Sequence, residues 1–151
     1  LSVIARRDAL QKVIGSETST LSDAESRSLW HEVREVTLLP AAGVVWRLSI
    51  PPSSGAAVAR AIAAQIECET LFDWAGGLVW LALAGATAHA DVVRAAVAPS
   101  GGHATLMRAS AAVRRGNAVF QPQPAAVAAL SRRVKAAFDP AGVLNPGRMV
   151  V

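Results

Sequence analysis

The middle of the chain, residues 44–109, alternates between strand-like and helix-like patterns in a fixed order, and this order limits the possible folds more than any other feature. The segment VVWRLSI (44–50) alternates apolar and polar side chains and stops at Pro51–Pro52, as expected for a strand with one buried face. Ala75–Gly76–Gly77 predicts a tight turn whose glycines tolerate positive φ angles. The same patterns predict strands over 44–50, 68–74, 78–84 and 103–109, with one helix capped by Ser53 or Ser54 that ends near 66 and another capped by Thr87 over about 88–98.

The order strand, helix, strand, strand, helix, strand is the split βαβ arrangement of a ferredoxin-like fold. We therefore predict an α+β fold, βαββαβ, with a four-stranded antiparallel sheet, both helices on one face and the other face bare. Hydrophobic residues make up 52% of the chain, enough for a packed core. The longest apolar run, LVWLALAGA (78–86), falls short of the about 20 residues that cross a bilayer, so we expect no transmembrane segment.

Helical patterns flank this region on both sides. Residues 3–14 predict a short helix, and GSETST (15–20) predicts a linker. Ser22 and Glu25 have the spacing of a capping box and predict a second helix over about 23–36. A last helix is predicted from Pro124 to about Ala137, with its apolar stripe at Val127, Leu130, Val134 and Phe138. The predicted division is an N-terminal helix and linker, 1–21, and a main domain, 22–151.

Composition excludes several classes of function. The net charge of +4 suits anionic ligands, but the arginines are scattered and predict no nucleic-acid site. Cys68 is the single cysteine, so no internal disulfide forms; we expect a buried thiol and a reducing, cytoplasmic compartment. The three histidines are isolated and predict no metal site, and no Ser-His-Asp or paired-carboxylate pattern supports a hydrolase. The four tryptophans are expected in the core or at an interface.

The chain closes with FDPAGVLNPGRMVV (138–151), which is rich in turn-forming residues. Asp139 to Gly142 has the residues of a type I turn, which reverses the chain directly after the last helix. Val143 and Leu144 are expected to pin the segment into the core. Turn chemistry leaves two interpretations open: a plain helix stop with a tail, or a rigid segment built to present a binding group.

Asn145 is the group that such a segment would present. Because it precedes Pro146, its backbone is expected to be extended, and Pro146–Gly147 then suits a type II turn. An amide held on this scaffold, with Arg148 beside it, offers donors and an acceptor to a flat polar heterocycle or to a phosphate.

Residues 138–148, FDPAGVLNPGR, resemble the C-terminal signature F-D-P-x-G-x-L-N-P-G-[KR] of FAD-linked oxidases of the vanillyl-alcohol-oxidase type. Four further segments are similar to the FAD-binding subunits of bacterial glycolate oxidases: VVWRLSIPP (44–52), LFDWAGGLVWL (71–81), GGHATLMRA (101–109) and VFQPQP (119–124). The resemblance implies FAD as the cofactor, a ferredoxin-like cap over the isoalloxazine ring, and flavin-proximal roles for Asn145, Pro146, Gly147 and Arg148.

The resemblance also implies what this chain does within an enzyme. No Gly-rich phosphate loop occurs, so the N-terminal FAD-binding domain of the family is absent from these 151 residues, and we expect the chain alone to be inactive. The implied partners are a flavin-containing catalytic subunit, an iron–sulfur subunit and a small 2-hydroxy acid such as glycolate. Cytoplasmic placement, membrane association through the complex and self-association through the bare sheet face are further expectations.

The substrate-facing candidates lie on the first and fourth strands. Arg47 points away from the apolar face of its strand, and an Arg with a nearby His can bind a 2-hydroxy-acid carboxylate and take its hydroxyl proton. The pattern leaves open whether the fourth strand adds His103, Thr105 and Met107 or Ala104, Leu106 and Arg108 to that face. Arg108 also fits a strand end, and Asp73 either pairs with Arg47 or ends its strand. The alternative is that this face is an ordinary solvated surface of the sheet with no ligand.

The rival function is a free-standing ferredoxin-like module that binds a small ligand or has a regulatory role.

Overall fold

The computed structural model describes residues 2–15, 18–41 and 43–147. The chain divides into two units, residues 1–38 and 39–151. The strands of the second unit are β1 (Val44–Ser49), β2 (Cys68–Asp73), β3 (Leu78–Leu83) and β4 (His103–Arg108). The helices of the chain are α1 (Ser2–Ile14), α2 (Asp23–Glu35), α3 (Gly55–Ala63), α4 (Ala90–Val97), α5 (Ala111–Gly116) and α6 (Ala125–Phe138).

The four strands form one sheet in the order β2-β3-β1-β4, and every neighbouring pair is antiparallel. With α3 between β1 and β2, and α4 between β3 and β4, this is the predicted ferredoxin-like βαββαβ topology. The α+β prediction is confirmed, and each strand boundary lies within one residue of its expected place.

The core explains why β1 alternates. Trp46 and Leu48 are 0% exposed and pair across the sheet with apolar residues of β3 and β4. The same cluster takes in apolar side chains from both crossover helices: Val58 and Ile62 of α3, and Val93 and Val97 of α4. Both helices therefore cover the face of Trp46, and the face of Arg47 carries no helix of this pair, as predicted.

The two edge strands of the sheet differ in what bonds to their outer backbone groups. Along β4, the Leu106 N–H donates to the carbonyl of Val119 at 2.8 Å, and the Ala104 N–H donates to the side chain of Gln121 at 3.2 Å. The segment 118–121 thus covers this edge, which would otherwise offer free backbone groups. We call it the edge strap. β2 lies at the other edge and pairs only with β3 in the described part of the chain.

The first unit is built from α1 and α2. The capping box is confirmed: the Ser22 hydroxyl accepts from the Glu25 N–H, and the Ser22 N–H donates to the Glu25 carboxylate at 2.8 Å. The Ser22 hydroxyl also donates to that carboxylate at 2.7 Å, and this bond, with the one from the Ser22 N–H, lowers the pKa of Glu25. α2 ends at Val36, whose left-handed backbone (φ 58°) closes the helix. No helix in the described ranges is long and apolar enough to cross a membrane.

Two helix starts differ from the prediction. The residue before α4 is His89, in the left-handed region at φ 46°, and Thr87 does not cap the helix. Ser54 precedes α3 but makes no side-chain capping bond, because a short 3-10 turn over Pro52–Ser54 leads directly into the helix. Gly55 is required there, since a Cβ would overlap the backbone carbonyl of Gly76 in the β2–β3 turn.

The apolar stripe of α6 exists but is not packed. No residue of α6 is buried. Its apolar side chains are all exposed: Val127, Leu130, Val134 and, at 83%, Phe138. The expectation that Val143 and Leu144 pin the closing segment into the core is wrong, since they are 70% and 59% exposed. The segment is held instead by polar bonds, described below.

Candidate functional site

The face of the sheet opposite α3 and α4 carries the first group of candidate residues. Arg47 lies on the central strand β1, directly opposite Trp80 of β3 on one side and Thr105 of β4 on the other. One pair further along, Ser49 lies opposite His103. Ala104 and Leu106 are 0% exposed in the core, so the open alternative is decided: His103 and Thr105 share the face of Arg47. We call this the open face.

Arg108 belongs elsewhere. It is the last residue of β4, beyond a bulge, and its guanidinium donates to the carbonyls of Pro40 at 2.9 Å and Ala41 at 3.0 Å. These bonds tie the chain entering β1 to the end of β4. The strand-end interpretation of Arg108 fits these two bonds, both of which come from one nitrogen of its guanidinium.

Arg47 keeps its donors free. It is half-buried, its guanidinium carbon lies 5.4 Å from the centre of the Trp74 ring, and within the described ranges it has no carboxylate partner and no hydrogen-bond acceptor. The neighbouring side chains Ser49, His103 and Thr105 also make no hydrogen bond to any described residue. A cation that shares a sheet face with two hydroxyls and an imidazole suits a small anion that carries a hydroxyl.

Asp73 takes the second of its predicted roles. It ends β2, and its carboxylate accepts from the N–H of Trp74 at 2.7 Å. The turn that follows differs from the glycine pattern: Trp74 (φ 51°) and Ala75 (φ 53°) take positive φ as well as Gly76 (φ 92°), whereas Gly77 does not. The tryptophan is 61% exposed, neither in the core nor at a described interface.

The closing segment depends on the carboxylate of Asp139. The predicted turn is present, with the Gly142 N–H donating to the Asp139 carbonyl at 3.1 Å. The side chain then does what the turn pattern did not predict: it accepts from the N–H groups of Val143 and Leu144, both at 2.9 Å, and from Lys135 at 2.7 Å. Asp139 is 7% exposed. We call this set of bonds the Asp139 clamp.

The clamp also fixes the charge of its central group. The Lys135 ammonium, together with the N–H groups of Leu144 and Val143, lowers the pKa of Asp139. Lys135 donates a second time, to the Leu144 carbonyl at 3.1 Å. One ion pair thus joins the last turn of α6 to the start of the LNPG sequence. Turn patterns do not predict this ion pair, but the spacing of four residues between Lys135 and Asp139 indicates it.

Beyond the clamp, Asn145 does not have the predicted extended backbone. Its φ is 46°, in the left-handed region that asparagine tolerates better than most residues. Gly147 has φ 69°, the sign that the third position of a type II turn requires. Asn145, Pro146 and Gly147 are all exposed. Arg148, the fourth cofactor candidate, lies outside the described residues.

Arg94 is a structural residue that the sequence did not reveal. Its guanidinium carbon lies 5.2 Å from the centre of the Trp46 ring. It donates to the carbonyls of Ala118 and Phe120, the latter at 3.1 Å, and so holds the edge strap against α4. Its Nε is buried without a partner among the described residues, and burial lowers the pKa of the group. Trp46 is itself oriented by a hydrogen bond from its indole to the Ala88 carbonyl at 2.9 Å.

Other predicted features carry no site. Cys68 is partly buried against the core, and this burial raises the pKa of its thiol. In the part of the chain that the structure describes, no three His, Cys, Asp or Glu side chains are grouped so as to hold a metal ion.

Comparison with known proteins locates a relationship at the C-terminal end. Residues 118–149 match the family model described as "FAD linked oxidases, C-terminal domain". Searches of curated proteins and of solved structures found no match to this chain. The matched range begins at the edge strap held by Arg94 and runs through α6 and the Asp139 clamp. Over this range the chain is similar to the C-terminal domain of FAD linked oxidases, a group of flavin-dependent oxidoreductases.

Proposed function

We propose that this chain is the cap domain of an FAD-dependent oxidoreductase that acts on a small 2-hydroxy acid, specifically of a glycolate oxidase FAD-binding subunit. The observation that carries the proposal is the match over residues 118–149, which coincides with a segment fixed by dedicated polar bonds rather than by apolar packing. A plain tail would have no use for a carboxylate that is 7% exposed and fully bonded.

The closing segment fits a flavin-proximal role. Asn145 is exposed directly after the Asp139 clamp, so its amide is presented on a fixed scaffold. An amide both donates and accepts, which matches the alternating donors and acceptors at the edge of an isoalloxazine ring. Gly147 adds a backbone without a Cβ, where nothing in the structure lies within 4 Å of the missing atom. We assign Asn145 to Gly147, with Arg148, to contact with the flavin.

The open face fits the acid. Oxidation of a 2-hydroxy acid to a 2-oxo acid removes a hydride from C2 and a proton from the hydroxyl. FAD, when bound, supplies the two-electron acceptor for that hydride. Arg47 holds the carboxylate through its free N–H groups, and His103 accepts the hydroxyl proton as a general base.

The spacing of the two groups suits a small substrate. His103 is the diagonal neighbour of Arg47 across the β1–β4 pair, a separation of roughly 7–8 Å between Cα atoms. A two-carbon acid can reach both side chains at once.

The partners in this proposal are a flavin-containing catalytic subunit and an iron–sulfur subunit, in the cytoplasm or bound to the membrane through that complex. The exposed apolar side chains of α6 and the open face favour contact with other protein surfaces. For the chain alone we propose self-association. Light scattering at high protein concentration should report a mass above 15.6 kDa, and a monomer would contradict this part of the proposal.

A second candidate is a free-standing module that binds a small ligand. The observation that favours it is that the Arg47–Trp74 contact is complete within this chain, with His103 on the same face of the sheet as Arg47. The coding sequence upstream of Leu1 discriminates between the two: an in-frame flavin-binding domain supports the oxidoreductase, and a start codon directly before Leu1 supports the module.

The open face has its own test in the complete flavoprotein. Arg47→Gln should raise KM for glycolate more than it lowers kcat, because the guanidinium binds a carboxylate that does not react. Arg60→Gln, on the exposed side of α3, is the matched control and should leave both constants unchanged. An unchanged KM in Arg47→Gln would remove the open face from the substrate site.

A further inference from the structure

Trp74 is a large apolar side chain in an exposed turn, where it contributes little to the core. It follows β2 at the tip of the β2–β3 hairpin and is 61% exposed. Its indole reaches over the open face to Arg47 on β1, the strand beyond β3. A contact that crosses a strand in this way joins the hairpin tip to the centre of the sheet.

The backbone at Trp74 has an unusual conformation. Trp74 has φ 51°, a region that bulky L-residues rarely adopt, and Asp73 holds its N–H through a 2.7 Å bond. The glycines of this turn come after the tryptophan, so Trp74 itself takes a positive φ. Backbone strain of this kind persists when the surrounding structure fixes it, and it clusters at ligand sites.

A second Arg–Trp pair in the same domain shows what such a pair does when oxygen acceptors are present. Arg94 lies over Trp46 at 5.2 Å, nearly the distance of the Arg47–Trp74 pair, and its N–H groups bind two carbonyl oxygens of the edge strap. The guanidinium of Arg47 has the same aromatic support and no acceptor within the ranges that the structure describes. An oxygen ligand at Arg47 would give this pair the same arrangement as the Arg94–Trp46 pair.

We propose that Trp74 is a positioning residue for carboxylate binding: its indole holds the Arg47 guanidinium over the open face, and the two together bind a small monocarboxylate. The ring contact restrains the long arginine side chain and leaves its in-plane N–H groups for a bidentate bond. Thr105 lies directly opposite Arg47 on β4 and Ser49 lies two residues along β1, and their hydroxyls, which bond to no described residue, suit a 2-hydroxyl group. The substrate class rests on the proposed function, whereas the Arg47–Trp74 pair itself is complete in this chain.

The test is a titration of the 151-residue chain with glycolate, followed in ¹H–¹⁵N spectra at the Arg47 Nε–H and the Trp74 indole N–H. Both signals should shift and saturate together, and glycolamide, the neutral analogue, should shift neither. Arg47→Gln should weaken glycolate binding by roughly tenfold or more, since the charged bidentate donor is lost. Arg60→Gln should change nothing.

Variants of Trp74 distinguish an effect on glycolate affinity from an effect on the stability of the fold. Trp74→Gly should weaken binding by roughly two- to fivefold, the loss of one exposed cation–π contact, without lowering the melting temperature, because glycine takes a positive φ without strain. Trp74→Phe keeps an aromatic ring and should restore most of the affinity. Equal affinity in all three forms would overturn the role of Trp74, and absence of any shift with glycolate would overturn the site.

Together with the flavoprotein, these measurements distinguish failure of the carboxylate site from failure of the proposed function. Glycolate binding without an upstream flavin domain would keep the Arg47–Trp74 site and refute the oxidoreductase. A flavoprotein whose KM does not respond to Trp74→Gly, together with a chain that shows no glycolate shift, would refute the site and keep the oxidoreductase.

Discussion

Replacing Arg94 by methionine tests how the matched segment is attached to the sheet. The change removes two hydrogen bonds from a charged donor to the Ala118 and Phe120 carbonyls, and the contact with the Trp46 ring. Each bond contributes about 1 kcal/mol near the surface, and the cation–π contact about 0.5–1 kcal/mol. Removing a buried Nε without a partner returns about 1 kcal/mol. We expect a net loss of about 2 kcal/mol.

The assay combines global and local readouts. Urea unfolding of Arg94→Met should show the loss directly, and the melting temperature should fall by about 6–10 °C for a domain of this size. Hydrogen exchange at the Leu106 amide should accelerate, since its acceptor is the Val119 carbonyl of the edge strap. Arg60→Met, an exposed arginine on α3, is the control. A loss below about 0.5 kcal/mol with unchanged Leu106 exchange would refute the attachment described for Arg94.

Three further predictions concern the closing segment and the hairpin. Asp139→Asn should accelerate amide exchange at Val143 and Leu144 while the sheet amides keep their rates; unchanged exchange would contradict the clamp. Because the folded state lowers the pKa of Asp139, the clamp is fully formed above the ordinary value of 3.8 and is lost as the pH falls through the lowered folded value, which the Val143 amide should report in an acid titration. Gly55→Ala should destabilise the domain by about 1–3 kcal/mol in urea unfolding, since its Cβ overlaps a backbone carbonyl; a neutral result would show that the hairpin can move aside.

Much of the sheet was predictable because the two faces of β1 differ in polarity, although Val45, Leu78 and Ala82 on the face of Arg47 are buried as well. The alternation around Trp46, Leu48 and Ile50 assigned one face of β1 to the core, and the order of strands and helices left few ways to pair them. The register then follows from the same rule, and it placed Arg47 and His103 on the open face. The capping box at Ser22 was equally readable, since it depends on two residues three positions apart.

What the sequence did not reveal are side chains that bond to distant or unexpected backbone groups. Arg94 holds a strap 24 residues away, and no local pattern marks that bond. The glycines after β2 predicted positive φ for themselves, yet Trp74 and Ala75 share it because Asp73 fixes the first N–H. The stripe of α6 has the period of a packed helix, but the pattern does not say what it packs on, and its residues are exposed here.

The closing segment contains one feature that the sequence predicted and one that it did not. The turn at Asp139–Gly142 was predictable from its residue types, and the hydrogen bond that defines it is present. The left-handed backbone of Asn145 was not, because the restriction before proline is a tendency, and asparagine tolerates the left-handed region.

The proposal that this chain works beside a flavin has its sharpest test in the visible absorbance of the complete polypeptide encoded with it. We expect a flavin spectrum that is bleached by glycolate, and Asn145→Ala should shift that spectrum or lower the flavin content. A colourless protein that releases no flavin on denaturation would contradict the claim. An unchanged spectrum and flavin content in Asn145→Ala would remove that residue from the flavin site.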